Sequence, residues 1–188
     1  QARAGHDVWR KGAHAGPPLA VVVSSDAHYS VARALRIMGW GDGGALVAPI
    51  DARHRMTAAA VRGALARAGD RRVISIVAAA GSTATGAFDP LDELADLAAD
   101  RGLWLHVDAA HGGAAALSAA QRGKLRGIER ADSIVWDAHK LMMMPALVTA
   151  VLFRRELHAY EPFAQQASYL FAAARPEETW WDLGQRTL

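Results

Sequence analysis

The chain has 188 residues, 52% of them apolar and 21% charged, which is enough apolar material for a buried core and too much for intrinsic disorder. No run approaches the roughly 18 consecutive apolar residues of a membrane span, and no basic-then-apolar leader opens the sequence, so secretion is not expected. A net charge of +2 is too balanced for an electrostatic nucleic-acid binder, and zero cysteines exclude a disulfide scaffold, a thiolate metal site and a cysteine nucleophile.

In chain order, Gln1–Gly12 reads as the tail of a helix whose beginning lies upstream. Short apolar runs follow at Leu19–Ser24, Ala45–Ile50, Val73–Ala79, Leu103–Val107, Ser133–Trp136 and Ala146–Phe153. Bounded by polar residues or Gly, they read as buried strands. Between them, His28–Met38, Thr57–Ala68 and Leu91–Arg101 carry apolar residues at three- and four-residue spacing, as packed helices do. Thr57 is placed to cap the second of these, Pro90 suits the first turn of the third, and Gly102 stands where a left-handed C-cap is expected. Strand–helix–strand alternation predicts an α/β domain, a mostly parallel sheet with helices on both faces. Ligands of such sheets bind at the carboxyl ends of the strands.

Those ends carry Ser25-Asp26-Ala27-His28, Ala80-Gly81-Ser82-Thr83, Asp108-Ala109-Ala110-His111-Gly112-Gly113 and Asp137-Ala138-His139-Lys140. Only Lys11, Lys124 and Lys140 offer a primary amine, and Lys140 alone follows a strand. Between that strand and the apolar run Leu141–Pro145 it would be desolvated and able to form a Schiff base; the plainer reading is a snorkelling surface lysine. Asp108 in its apolar setting needs a cationic or N–H partner, or simply caps the next element. His28 could stack on an aromatic ring or shuttle a proton, or only cap a helix. Thr83 and Ser82 offer hydroxyls at the same edge, or ordinary turn chemistry. His106, Asp108 and His111 also spell H-x-D-x-x-H, which His28 and His139 could join in a metal-dependent hydrolase. Strand alternation puts His106 and Asp108 on one side but His111 beyond a turn.

Four stretches occur in order: Ala27–Ser30, Ala80–Pro90 (AGSTATGAFDP), His106–Gly113 (HVDAAHGG) and Ala131–Lys140 (ADSIVWDAHK). Together they closely resemble the group II pyridoxal-phosphate-dependent amino-acid decarboxylases, the family of the glutamate, aromatic amino acid, cysteine sulfinate and 2,4-diaminobutyrate decarboxylases. The resemblance implies an aspartate-aminotransferase-like large domain of fold type I, with pyridoxal 5'-phosphate as cofactor. It implies that Lys140 holds the cofactor as a Schiff base and that Asp108 partners the pyridine nitrogen. His28 would stack on the ring, Ala110 would pack on its other face, Thr83 would lie near the cofactor oxygen and His139 by the phosphate. The implied activity is decarboxylation of an L-amino acid in a cytoplasmic homodimer whose active site lies at the subunit interface, without nucleic acid or membrane as partner.

Residues 1–170 would then be the central part of the large domain, and 171–188 a mobile loop with the start of a connection to a small domain. On this reading the chain is incomplete at both ends, because the family's phosphate-binding loop would precede Gln1. A non-catalytic piece of such an enzyme is the alternative. Two positions depart from the family: Asp137 stands where aromatic amino acid decarboxylases carry an asparagine near the phosphate, and His111 where Tyr or Trp is frequent. The loop tyrosine that protonates the substrate carbon in many members has no counterpart in 171–179; Tyr169, Trp180 and Trp181 flank that stretch.

Overall fold

The computed structural model describes residues 3–160, so 171–188 and the residues Tyr169, Trp180 and Trp181 lie outside the described residues. The start of the chain departs from expectation. Residues 3–6 form turns and bends, and Asp7 then opens a one-turn helix, α1 (Val8–Lys11), by accepting from the Arg10 backbone N–H at 3.1 Å. This helix starts with its own cap instead of continuing an earlier one. Gly5 at φ +79° and Gly12 at φ +81° bound it, in a backbone region that no helix can pass through.

All the expected strands form, β1 over the expected bounds and the others with shifted ends. They are β1 (Leu19–Ser24), β2 (Ala45–Ala48, stopped before Pro49), β3 (Arg72–Ala79), β4 (Trp104–Asp108), β5 (Ser133–Asp137) and β6 (Thr149–Phe153). The sheet order is β2-β1-β3-β4-β5-β6, and the pairings from β2 through β5 are parallel. The crossover helices are α2 (Tyr29–Ile37), α3 (Ala58–Ala66) and α4 (Leu91–Arg101). Thr57 caps α3 by accepting from the Ala60 N–H at 3.3 Å, and Gly102 closes α4 at φ +61°. Pro90 sits one place earlier than expected, at the cap of α4, where its carbonyl accepts from the Leu94 N–H at 3.1 Å.

Period-two alternation splits the sheet into two buried faces. Val22, Ile76, Leu105 and Val107 pack with Val61 of α3 and Leu94 and Leu97 of α4. Val21 and Val23 point the other way and meet Leu35 and Val31 of α2. The prediction of helices on both faces holds.

One strand was expected to be buried and is not. In β6, Val151 is 53% and Leu152 52% exposed. The strand lies at the sheet edge, and an apolar run looks the same in sequence whether its cover comes from its own neighbours or from elsewhere. The chain divides into two compact units, the first ending at Leu152 and the second beginning at Phe153. Within the second, α5 (Glu156–Tyr160) is the described element.

Candidate functional site

A cleft of about 270 Å³ opens at the carboxyl ends of β1, β3, β4 and β5. Its shape follows from where small residues permit close approach. Gly81, at φ +86°, turns the chain after β3, and a Cβ there would come within 2.8 Å of the Gly112 Cα. The Gly112 N–H in turn donates to the Ala80 carbonyl at 3.0 Å. These two loops touch backbone to backbone, and Ala110 and His111 are left lining the cleft.

Asp108, the last residue of β4, sits in register between Ala79 of β3 and Val135 of β5. The Ala110 N–H donates to its Oδ1 at 3.1 Å, which orients the carboxylate. Among the described residues Oδ2 has no hydrogen-bond donor, so half of this half-buried carboxylate remains free to bind a cationic or N–H ligand.

Lys140 enters the cleft from the turn after β5, where its backbone N–H donates to the Asp137 carbonyl at 3.2 Å. Its Nζ lies 2.9 Å from Asp137 Oδ2, and the Thr149 hydroxyl donates to Asp137 Oδ1 at 2.7 Å. Lys140 therefore has an acidic partner three residues back, because the tight turn folds it onto the strand end. Burial pushes the Asp137 carboxyl up, but hydrogen bonds from Lys140 and Thr149 outweigh it and hold the group below its ordinary value.

His28 takes the capping role and also faces the cleft. Its Nδ1 lies 2.8 Å from the Ser30 hydroxyl and caps α2, yet the residue also lines the cleft. Thr83 and Ser82 line it too; the Ser82 hydroxyl is engaged with Thr85 Oγ1 at 2.7 Å, whereas Thr83 is exposed. His139 is not among the lining residues: its Nδ1 meets the Val148 backbone, at 3.0 Å from the carbonyl and 3.2 Å from the N–H.

The H-x-D-x-x-H set does not assemble. His106 turns away from the cleft to the Ser133 hydroxyl at 2.8 Å, and burial depresses its pKa, with the Asp108 charge opposing. Among the described residues no group of three His, Asp or Glu side chains is placed to hold a metal ion.

Two residues carried too weak a signal to be found beforehand, Thr149 in the cleft and Asp89 outside it. Thr149 reaches Asp137 only through the pairing geometry of β6. Asp89 was visible in sequence only as part of a turn, yet it is buried and receives the Met56 and Ala79 N–H groups, both at 2.7 Å. Burial raises its pKa to about 6 against those two bonds.

Residues 10–187 match the family model described as the pyridoxal-dependent decarboxylase conserved domain. The chain is 39% identical to the cysteine sulfinic acid decarboxylase of Rattus norvegicus over 168 residues, covering 88% of this chain and 34% of that protein. It is 40% identical to the L-2,4-diaminobutyrate decarboxylase of Rhizobium meliloti (strain 1021) over 152 residues, covering 80% of this chain and 30% of that protein. The crystal structure of mouse CSAD in apo form superposes with a TM-score of 0.82 at 35% identity, over 93% of this chain and 37% of that one. The chain thus spans about a third of the length of the curated relatives it matches. With the match extending through nearly every residue and the motif residues gathered at one cleft, the chain belongs to the pyridoxal-dependent decarboxylase family.

Proposed function

We propose that this chain forms the cofactor wall of a pyridoxal-phosphate-dependent enzyme that removes the α-carboxylate of an L-amino acid. The observation that carries this reading is that Lys140 and Asp108, from the ends of adjacent parallel strands, line one cleft. The residues fit the cofactor. A primary amine can bind its aldehyde, and the free Oδ2 of Asp108 matches a protonated ring nitrogen. Ala110 and the close Gly81–Gly112 contact leave room for a flat ring, and His28 supplies an imidazole face.

When bound, pyridoxal phosphate supplies the electron sink for the pair left behind by departing carbon dioxide. Asp108 would partner the ring nitrogen and favour its protonated state. Lys140 would hold the cofactor, and Lys140 and His28 would be placed to handle protons beside the reacting carbon. Thr83 donates its hydroxyl near the cofactor oxygen. His139 would lie by the phosphate.

The enzyme works as a homodimer with the active site at the interface, a reading supported by the exposed apolar run beside Lys140, where Met143 is 84% and Leu147 91% exposed. We place it in the cytoplasm, since a cysteine-free chain gains nothing from an oxidising compartment. No helix among the described residues is long and apolar enough to cross a membrane.

The test uses the full chain loaded with pyridoxal phosphate. A visible absorption band that borohydride abolishes is expected in the wild type and absent in Lys140→Ala; a band that persists in the variant overturns the lysine assignment. Carbon dioxide release from a panel of acidic, aromatic and diamino acids then tests the reaction.

A further inference from the structure

The turn after β5 carries a charge that the proposed chemistry does not use. Asp137 is the last residue of β5, its side chain is only 12% exposed, and both oxygens are engaged, Oδ2 by Lys140 Nζ at 2.9 Å and Oδ1 by the Thr149 hydroxyl at 2.7 Å. Its backbone N–H donates to the Ala110 carbonyl at 3.3 Å, which ties the same residue to the loop after Asp108. Thr149 fixes the carboxylate, and the carboxylate fixes the lysine. An asparagine in this place would keep the shape and lose the charge.

We infer that Asp137 is a positioning residue that engages Lys140 Nζ at the end of β5 in the cofactor-free chain, and that this ion pair must open before Lys140 can act as a nucleophile. A protonated amine has no lone pair to attack a carbonyl. Condensation therefore begins with loss of one proton from Nζ to solvent. The free amine then adds to the cofactor aldehyde, a C=N bond forms, and the aldehyde oxygen departs as water. A neighbouring carboxylate favours the ammonium and so opposes the first of these events.

Other charges that face the amine are few among the described residues. His139 Nε2 lies 3.9 Å from the same Asp137 oxygen. Asp108 and His111 line the cleft from the end of β4, and Asp26 and His28 from the loop before α2. Of these groups only Asp137 forms an ion pair with Lys140. The ion pair holds Nζ at the strand end, and it must open before the amine can react.

The inference rests on the cofactor reading only for its consequence, so the experiment has two arms. In the first, the cofactor-free full chain is pulse-labelled with acetic anhydride at pH 8, and modification of Lys140 is read by mass spectrometry. Asp137→Asn should raise the extent of labelling about threefold or more, whereas Asp137→Glu, which keeps the charge, should stay near the wild type. Circular dichroism confirms that each variant is folded. In the second arm, stopped-flow absorbance follows pyridoxal phosphate uptake, and Asp137→Asn should again be about threefold or more faster at pH 8. Equal labelling of wild type and Asp137→Asn in the first arm overturns the ion-pair inference, whatever the cofactor does. A rise in labelling without cofactor uptake by the wild type supports the ion pair and overturns the reading that this chain takes up the cofactor.

Discussion

Two turns at the same edge of the sheet use an aspartate in opposite ways. After β3, the chain runs through Gly81 and returns to Asp89, which receives two backbone N–H groups and no cation. After β5, Asp137 receives a hydroxyl and an ammonium. Burial acts on both carboxyls in the same direction. At Asp89 it wins and raises the pKa to about 6, while at Asp137 the charged and hydroxyl donors win and lower it. Fixed backbone donors make the first turn a scaffold, joining the segment before α3 to the end of β3. A displaceable side-chain donor makes the second turn a place where chemistry can start.

The largest expected effect breaks the scaffold turn. Asp89→Ala leaves the Met56 and Ala79 N–H groups buried without acceptors. Each orphaned donor costs about 1–3 kcal/mol, so the variant should lose about 2–6 kcal/mol of unfolding free energy, read by urea titration. Asp137→Asn keeps the side chain's shape at a partly exposed site and should lose less than about 1 kcal/mol. Losses of similar size in the two variants would erase the distinction between the turns.

The pH dependence of stability sharpens the same comparison. The folded-state pKa of Asp89, about 6, lies above the ordinary aspartate value of 3.8, so the native state binds its proton more tightly than the unfolded chain does. Its contribution is therefore greatest at low pH and declines as pH rises from about 4 to 6. Asp137 has the opposite sign: its folded pKa is lowered, so its contribution is present above the unfolded value and is lost as pH falls through the folded one. Asp89→Asn should flatten the decline between pH 4 and 6 in urea midpoints, and Asp137→Asn should leave that window unchanged. A wild-type profile that the Asp89→Asn substitution does not alter would show that this carboxylate is not the group titrating there.

Much of this architecture was legible in the sequence because its signals are local. The β1 run is buried over its whole length, Thr57 and Gly102 cap where their chemistry says they should, and Lys140, Asp108, His28 and Thr83 all reach one cleft. What could not be read depends on distance in space. His139 belongs to the same motif as Lys140, but its ring is turned to Val148 by the return of β6. The acidic partner of Lys140 stands three residues away, but only a turn, and not a helix face, brings the two together. Asp7 gave no reason to expect a fresh helix start until its side chain was seen accepting from Arg10.

The smallest effect concerns the edge strand. Val151 and Leu152 are about half exposed, so truncating either within the isolated fold removes little buried area. Leu152→Ala should cost less than about 1 kcal/mol at low protein concentration, against the 2–5 kcal/mol of a buried leucine such as Leu105 or Leu94. If the exposed run is the homodimer surface, mass action predicts that wild-type stability rises with protein concentration and that Leu152→Ala weakens this rise. Thermal melts across a hundredfold concentration range decide the point. A concentration-independent wild type would leave β6 an ordinary apolar edge, and a large loss at every concentration would mean that its cover comes from within the chain itself.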